Sequence, residues 1–144
     1  MRARGLIGLP AVGRHSGRSW GEVREVLCDL DQGRLAAVRV ARRRWPSRRR
    51  VLAYGGLGEA ALLVEEPPLA EVVGDNLLGW RVLAVHGEEL GTVGDLVVDE
   101  RGMIQGYEVS GGLLQDLLGG RTYLAAASVV ETRRGILRVR KEGG

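Results

Sequence analysis

The feature that most constrains this chain is a stretch written twice. Residues 87–109, GEELGTVGDLVVDERGMIQGYEV, place apolar side chains at Leu90, Val93, Leu96 and Val98. They reach a polar tip at Asp99, Glu100, Arg101 and Gly102, then resume with Ile104, Tyr107 and Val109. Apolar, β-branched runs around an acidic, glycine-containing tip predict a β-hairpin. The same hairpin lies about seventy residues earlier. Gly17, Gly21, Val23, Val26, Cys28, Asp29, Gly33, Leu35 and Val40 answer Gly87, Gly91, Val93, Leu96, Val98, Asp99, Gly102, Ile104 and Val109. One residue fewer in the second tip keeps the register.

A chain of 144 residues fits one ordinary domain or two very small ones, and the duplication favours two. Units of roughly 65–70 residues sit near the lower limit for an independent core, so each is expected to lean on its neighbour or on a second chain. Phe is absent, so Val, Leu and Ile must fill the cores, and 23 glycines suit short strands and tight turns. The expected fold class is mainly β. Strands are predicted over 6–12 (with Pro10 at an edge), 20–30, 34–42, 51–54 and 60–64, with a turn at 55–58. The step of three between Trp20 and Val23 breaks the alternation and marks a bulge. Glu65, Glu66, Pro67 and Pro68 read as a boundary, because two prolines block both strand pairing and a helix. The expected units are 1–68 and 76–142, joined by a short linker over 69–75, with one helical turn at 69–73. The second unit opens at 77–83. After its hairpin, Leu113, Leu114, Leu117 and Leu118 have the spacing of a short amphipathic helix with glycines at both ends. Strands over 123–130 and 135–139 close the chain.

Charge is uneven. Residues 1–73 carry thirteen arginines against eight carboxylates, whereas residues 74–144 carry eight cations against ten. Lys141 is the single lysine, a bias that a GC-rich genome explains more simply than arginine-specific chemistry. One cysteine forms no internal disulfide, so nothing points to an oxidising compartment. The basic start is followed by an apolar stretch broken by Gly8 and Pro10, which is no signal-peptide core. No window approaches 18 uninterrupted apolar residues. A soluble, cytoplasmic protein without a membrane span is expected.

The two units, each reading G-x-x-x-G-x-V-x-[D/E]-[V/L] with a later Asp and G-x-[L/I], resemble the PRC-barrel family. Gly79-Trp80-Arg81-Val82 with Gly91-Thr92-Val93-Gly94-Asp95-Leu96, and the run Leu57 through Val64, support the resemblance. The family includes the barrel of the photosynthetic reaction-centre H subunit and the C-terminal barrel of the ribosome maturation factor RimM. Two consecutive units are similar to the YrrD-like tandem proteins. The resemblance implies two small antiparallel β-barrels in tandem, the second with a short helical insert. It also implies function through binding, since family barrels serve as docking modules. The first unit departs from pattern at Trp20, where the second has Leu90. It also carries the Arg-rich stretch 41–50 where the second has the Leu-rich insert.

No catalytic set emerges. His15 and His86 sit in glycine turns and do not answer one another across the repeat, and Ser16 beside His15 would face the opposite way in a strand. Cys28 answers Val98 on an apolar face and reads as a small core residue. Asp29 to Gly33 begins like a calcium loop, but its glycine comes one place early and Val40 stands where the bidentate Glu belongs. Asp29 and Asp99 read as turn residues bonding their own backbone. Gly56-Leu57-Gly58-Glu59-Ala60-Ala61 mimics a dinucleotide fingerprint, yet Pro67 and Pro68 leave little room for the helix it requires. No cofactor and no metal are therefore expected.

The candidate binding residues are Arg42, Arg43, Arg44, Trp45, Arg48, Arg49 and Arg50. They fit three readings: phosphate pairing with base stacking on RNA or a ribosome, docking of an acidic protein surface, and a plain solvated loop. Leu113, Leu114, Leu117 and Leu118 could cap their own barrel, bury against the first unit, or contact a second copy in a homo-oligomer. The favoured function is a non-catalytic protein-binding scaffold, with another protein as partner. Trp20, Trp45 or Trp80 would be its anchors and arginines would steer the approach. Trp80 serves equally as core filler. The alternative is an RNA- or ribosome-associated factor using residues 42–50.

Overall fold

The computed structural model of the chain describes residues 1–43, 48–111 and 122–140. Two compact units emerge, Met1–Asn76 with Val98–Met103, and Leu77–Val97 with Ile104–Gly144.

In the first unit a 3-10 turn (Ala3–Leu6) leads into five strands: β1 (Pro10–Gly13), β2 (Ser19–Asp29), β3 (Arg34–Ala41), β4 (Arg50–Leu57) and β5 (Leu62–Glu65). They form a closed barrel in chain order, antiparallel except where β5 meets β1 in parallel. Closure satisfies the backbone groups that an open edge would leave to solvent or to another chain. Val23, Leu35, Val38, Val40, Leu52, Leu62 and Val64 are fully buried, so aliphatic side chains fill the core as a Phe-free composition requires. The strand expected at 6–12 starts late. Gly8, at φ +95°, turns the chain and donates its N–H to Val23 O at 2.8 Å, so pairing begins at Pro10. The turn expected at 55–58 is also shifted. A bulge at Gly55 lets β4 run on to Leu57, and the reversal comes where Gly58 N–H meets Ala61 O at 2.9 Å. No helical turn forms at 69–73. This segment finds its backbone partners on the barrel instead: Leu69 N–H donates to Val51 O at 2.7 Å, and Asp75 exchanges two 2.8 Å bonds with Cys28. Within the same unit the tip Val98–Met103 offers Gly102 O to Leu35 N–H at 2.7 Å and Glu100 O to the Tyr54 hydroxyl at 2.9 Å.

The second unit holds β6 (Arg81–Ala84), β7 (Glu89–Val98, its last residue grouping with the first unit), β8 (Ile104–Ser110), β9 (Thr122–Ala125), β10 (Val129–Arg133) and β11 (Ile136–Val139). Their order in the sheet is β10-β11-β6-β7-β8-β9, with β11 and β6 parallel. The strand expected at 123–130 is two strands, divided by a 3-10 turn at Ala126–Ser128. In the first unit β4 alone pairs with β3 through its first half and with β5 through its second. Here β9 pairs with β8, and β10 pairs with β11. The sheet's two end strands are therefore consecutive in the chain, and the 3-10 turn stands where the first unit has its Gly55 bulge. The helix expected at 113–118 lies outside the described residues.

The repeat holds at the level of individual bonds. Ala11 faces Gly21 and Val12 faces Ser19, leaving Trp20 as the extra residue of a bulge. Val82 faces Gly91 and Leu83 faces Glu89, leaving Leu90 in the same role. Gly8 N–H to Val23 O is matched by Gly79 N–H to Val93 O, both at 2.8 Å. Val23 N–H to Leu9 O is likewise matched by Val93 N–H to Trp80 O. The broken alternation at Trp20 is thus a bulge, as its spacing predicted.

Candidate functional site

The Arg-rich stretch connects the end of β3 at Ala41 to the start of β4 at Arg50, so strand pairing brings its two ends together. Arg44 and Trp45 lie outside the described residues, as do Leu113, Leu114, Leu117 and Leu118. Arg42 and Arg43 are exposed, and Arg43 Nε sits 2.6 Å from the Glu22 carboxylate. Arg48, Arg49 and Arg50 are exposed too, and with Arg39 they line a cavity of about 320 Å³. Its other wall is Val51 with residues 68–72, held there by the Leu69–Val51 backbone bond. Leu69 packs on a small core cluster of Leu27, Ala37 and Val51, which makes the floor apolar and fixed.

The four arginines are not equivalent. Arg39 Nε donates to Glu25 Oε1 at 3.0 Å, and Asn76 Nδ2 donates to Glu25 Oε2 at 3.0 Å. Burial pushes the Glu25 carboxyl up, but the bonds from Arg39 and Asn76, with the charges of Arg39 and Arg49, outweigh it and hold it below the usual carboxylate range. Arg39 is thus committed to the fold. Arg50 stands over the Trp20 ring, 5.9 Å from its centroid. Among the described residues, Arg48, Arg49 and Arg50 form no ion pair; a guanidinium left so keeps its donor fork for a ligand.

Trp20 is not the exposed anchor the sequence suggested. It is only 8 % exposed, its indole N–H donates to Glu66 Oε2 at 2.8 Å, and the Arg18 guanidinium lies 4.1 Å from the ring centroid. A buried indole needs one acceptor, and Glu66 supplies it. Leu90, in the answering position, is buried to the same degree.

The remaining candidates fall where their local chemistry places them. His15 and His86 are exposed in turns. Cys28 is fully buried in β2, and burial, followed by the charge of Asp75, pushes its thiol up to about 12, so it stays protonated and unreactive. Asp29 Oδ1 accepts from the N–H groups of Asp31 and Gln32, and Asp99 Oδ1 from those of Arg101 and Met103. Both aspartates are the expected turn residues. The G-x-G-x-x-A run is the β4–β5 reversal, with Leu57 paired to Leu62 and no helix opening there. The sequence pointed to the arginines but not to Leu69, Val51 and Val72, which shape the cavity. No local pattern marks them, because Leu69 and Val51 meet through one backbone bond across the barrel.

A second concavity in the first unit, about 280 Å³, is lined by Arg14, Arg34, Tyr54, Glu65, Glu100 and Arg101 among others. Its groups largely satisfy one another: Arg14 donates to Glu65 at 3.0 Å, and the Tyr54 hydroxyl, raised by burial and by Asp99 and Glu100, is bonded to Glu100 O. Arg34 Nε is buried without a partner.

Among the described residues, no helix is long and apolar enough to cross a membrane, and no group of three or more His, Cys, Asp or Glu side chains could hold a metal ion. Residues 1–58 and 71–142 match the family described as PRC-barrel domain. No curated protein matches the chain.

Proposed function

This chain belongs to the PRC-barrel family, and we propose that it is a cytoplasmic, non-catalytic scaffold that binds another protein. The observation that supports this reading is the pairing of free charge with a fixed apolar floor. Arg48, Arg49 and Arg50 stand exposed, without ion pairs among the described residues, beside Val51 and Leu69. Directed charge with a small desolvated centre is the makeup of a protein-docking patch. A reaction centre would instead need a poised titratable group, whereas Cys28 is held protonated and both histidines stand in solvent. The test is cross-linked capture from native lysate, with the wild-type chain beside the Arg48→Ala/Arg49→Ala/Arg50→Ala variant. The scaffold reading expects a discrete protein retained by the wild type and lost by the variant. Capture of ribosomal RNA alone would contradict it.

The same exposed arginines favour one other reading, an RNA- or ribosome-associated factor. Its mark is affinity for single-stranded RNA that falls steeply with salt, with a log–log slope of about −0.7 per phosphate neutralised. A shallow slope removes it.

A further inference from the structure

We infer that the cavity between Arg48–Arg50 and residues 68–72 seats an extended acidic segment of a partner protein, one that sets an aliphatic side chain next to a carboxylate. The inference rests on the protein-binding reading above and specifies the face and the ligand chemistry. A volume of about 320 Å³ is near the small end for ligand sites, roughly 300–1,000 Å³, so it takes one or two side chains rather than a large ligand. Arg39 is already satisfied by Glu25. Among the described residues Arg48 and Arg49 form no ion pair, although the charge of Arg49 reaches Glu25, and they are two planar donors suited to bidentate capture of a carboxylate. Beside them Val72, 54 % exposed, adjoins Leu69 and Val51. An aliphatic side chain laid there removes apolar surface from water, the contribution that a charge pair in solvent cannot make alone.

One observation favours a peptide over a nucleic acid. Trp20, which Arg50 faces at 5.9 Å, offers no stacking platform, with its ring under Arg18 and its N–H bonded to Glu66. Aliphatic walls match Leu, Val or Ile better than a base.

The test is fluorescence anisotropy on the full chain with a labelled octapeptide of alternating glutamate and leucine. The comparison probes carry glutamine in place of glutamate, or serine in place of leucine, and an octauridine RNA serves as competitor. Saturable binding is expected, weakened tenfold or more by either replacement. Arg48→Ala/Arg49→Ala should weaken it at least tenfold, and Val72→Ser several-fold. Arg101→Ala/Arg134→Ala removes the same charge from exposed sites elsewhere and should change it less than twofold. All four altered arginines and Val72 are exposed, so the variants should keep the wild-type unfolding midpoint. Equal binding of the serine-substituted peptide, or equal loss in both double variants, would overturn the inference in favour of diffuse charge attraction. Peptide binding that survives Arg48→Ala/Arg49→Ala would move the partner to another face and leave the scaffold reading standing. RNA binding tighter than the peptide, abolished by the same variant, would overturn both.

Discussion

Replacing Gly21 by alanine should be far more damaging than replacing Gly17, although the two lie only four positions apart, Gly17 on the β1–β2 connection and Gly21 near the start of β2. Gly17 has φ +71° and nothing within 4 Å of where a Cβ would sit. Its cost is that of a positive φ alone, about 1–2 kcal/mol. Gly21 has φ +106°, and its Cβ would stand 2.6 Å from Ala41 O and 2.7 Å from Ala41 C. Those are backbone atoms of the end of β3, so no rotamer change relieves the overlap. Either the bulge flattens or β3 moves away. The first adds roughly 1–3 kcal/mol of backbone strain, and the second gives up ladder bonds worth about 1 kcal/mol each. With the positive-φ cost included, either route puts Gly21→Ala at about 2–5 kcal/mol, against 1–2 for Gly17→Ala. The second unit repeats the contrast: a Cβ on Gly91 (φ +149°) would overlap the Ser110 carbonyl, whereas Gly87 (φ +94°) has open space. Urea unfolding followed by tryptophan fluorescence reads the difference as a shift in midpoint at constant slope. By scanning calorimetry each kcal/mol should appear as about 4–8 °C in a unit of this size. Should Gly21→Ala prove too unstable to purify, the Gly91→Ala and Gly87→Ala pair carries the comparison. A Gly21→Ala protein no less stable than Gly17→Ala would refute the shared bulge.

Three further outcomes follow from the geometry. Trp20→Leu, which installs the residue of the second unit, should cost about 1–3 kcal/mol, because Glu66 loses its indole donor while most of the apolar packing stays; a neutral result would mean the Trp20–Glu66 bond contributes nothing. Glu25, whose carboxyl is depressed, contributes stability that is in place above the ordinary carboxylate range and is lost as pH falls through its lowered value. Unfolding midpoints measured from pH 7 down to pH 3 should therefore fall less for Glu25→Gln than for wild type, and parallel curves would contradict the Arg39–Asn76 clamp. Cys28, raised to about 12, should resist a thiol reagent at pH 8 in the native chain and react at once in urea. Its contribution to stability is complete below the unfolded thiol's value and lost only as pH rises toward 12, so a native chain that reacts at pH 8 would place Cys28 at the surface.

What could be read from the sequence was whatever a few adjacent residues decide. The aspartate tips were legible because each carboxylate bonds backbone within four residues of itself. The bulge at Trp20 was legible as a break in alternation. The Gly55–Gly56 bulge was misplaced as a turn because glycine serves both, and only the pairing of Gly56 with Leu63 separates them. Residues 69–75 were read as helical turn and linker because their bonds reach back to Val51 and Cys28, which no local pattern announces. Trp20 was read as a partner anchor for the same reason: its indole N–H finds its acceptor in Glu66, 46 residues away. The cavity shares that origin. Its arginines are a visible run, but its floor exists only once β4 and the segment after Pro68 lie together.

The central claim is that one small barrel plan has been used twice, and amide protection measured by NMR hydrogen exchange tests it most directly. The structure requires matched pairs of slow amides some seventy residues apart: Gly8 with Gly79, and Val23 with Val93, each bonded to the answering carbonyl in its own unit. Protection of all four is the predicted result, with Gly8 and Val23 exchanging together as the first unit unfolds and Gly79 and Val93 together as the second does. Protection confined to one repeat, or slow amides at positions unrelated by the repeat, would contradict the account.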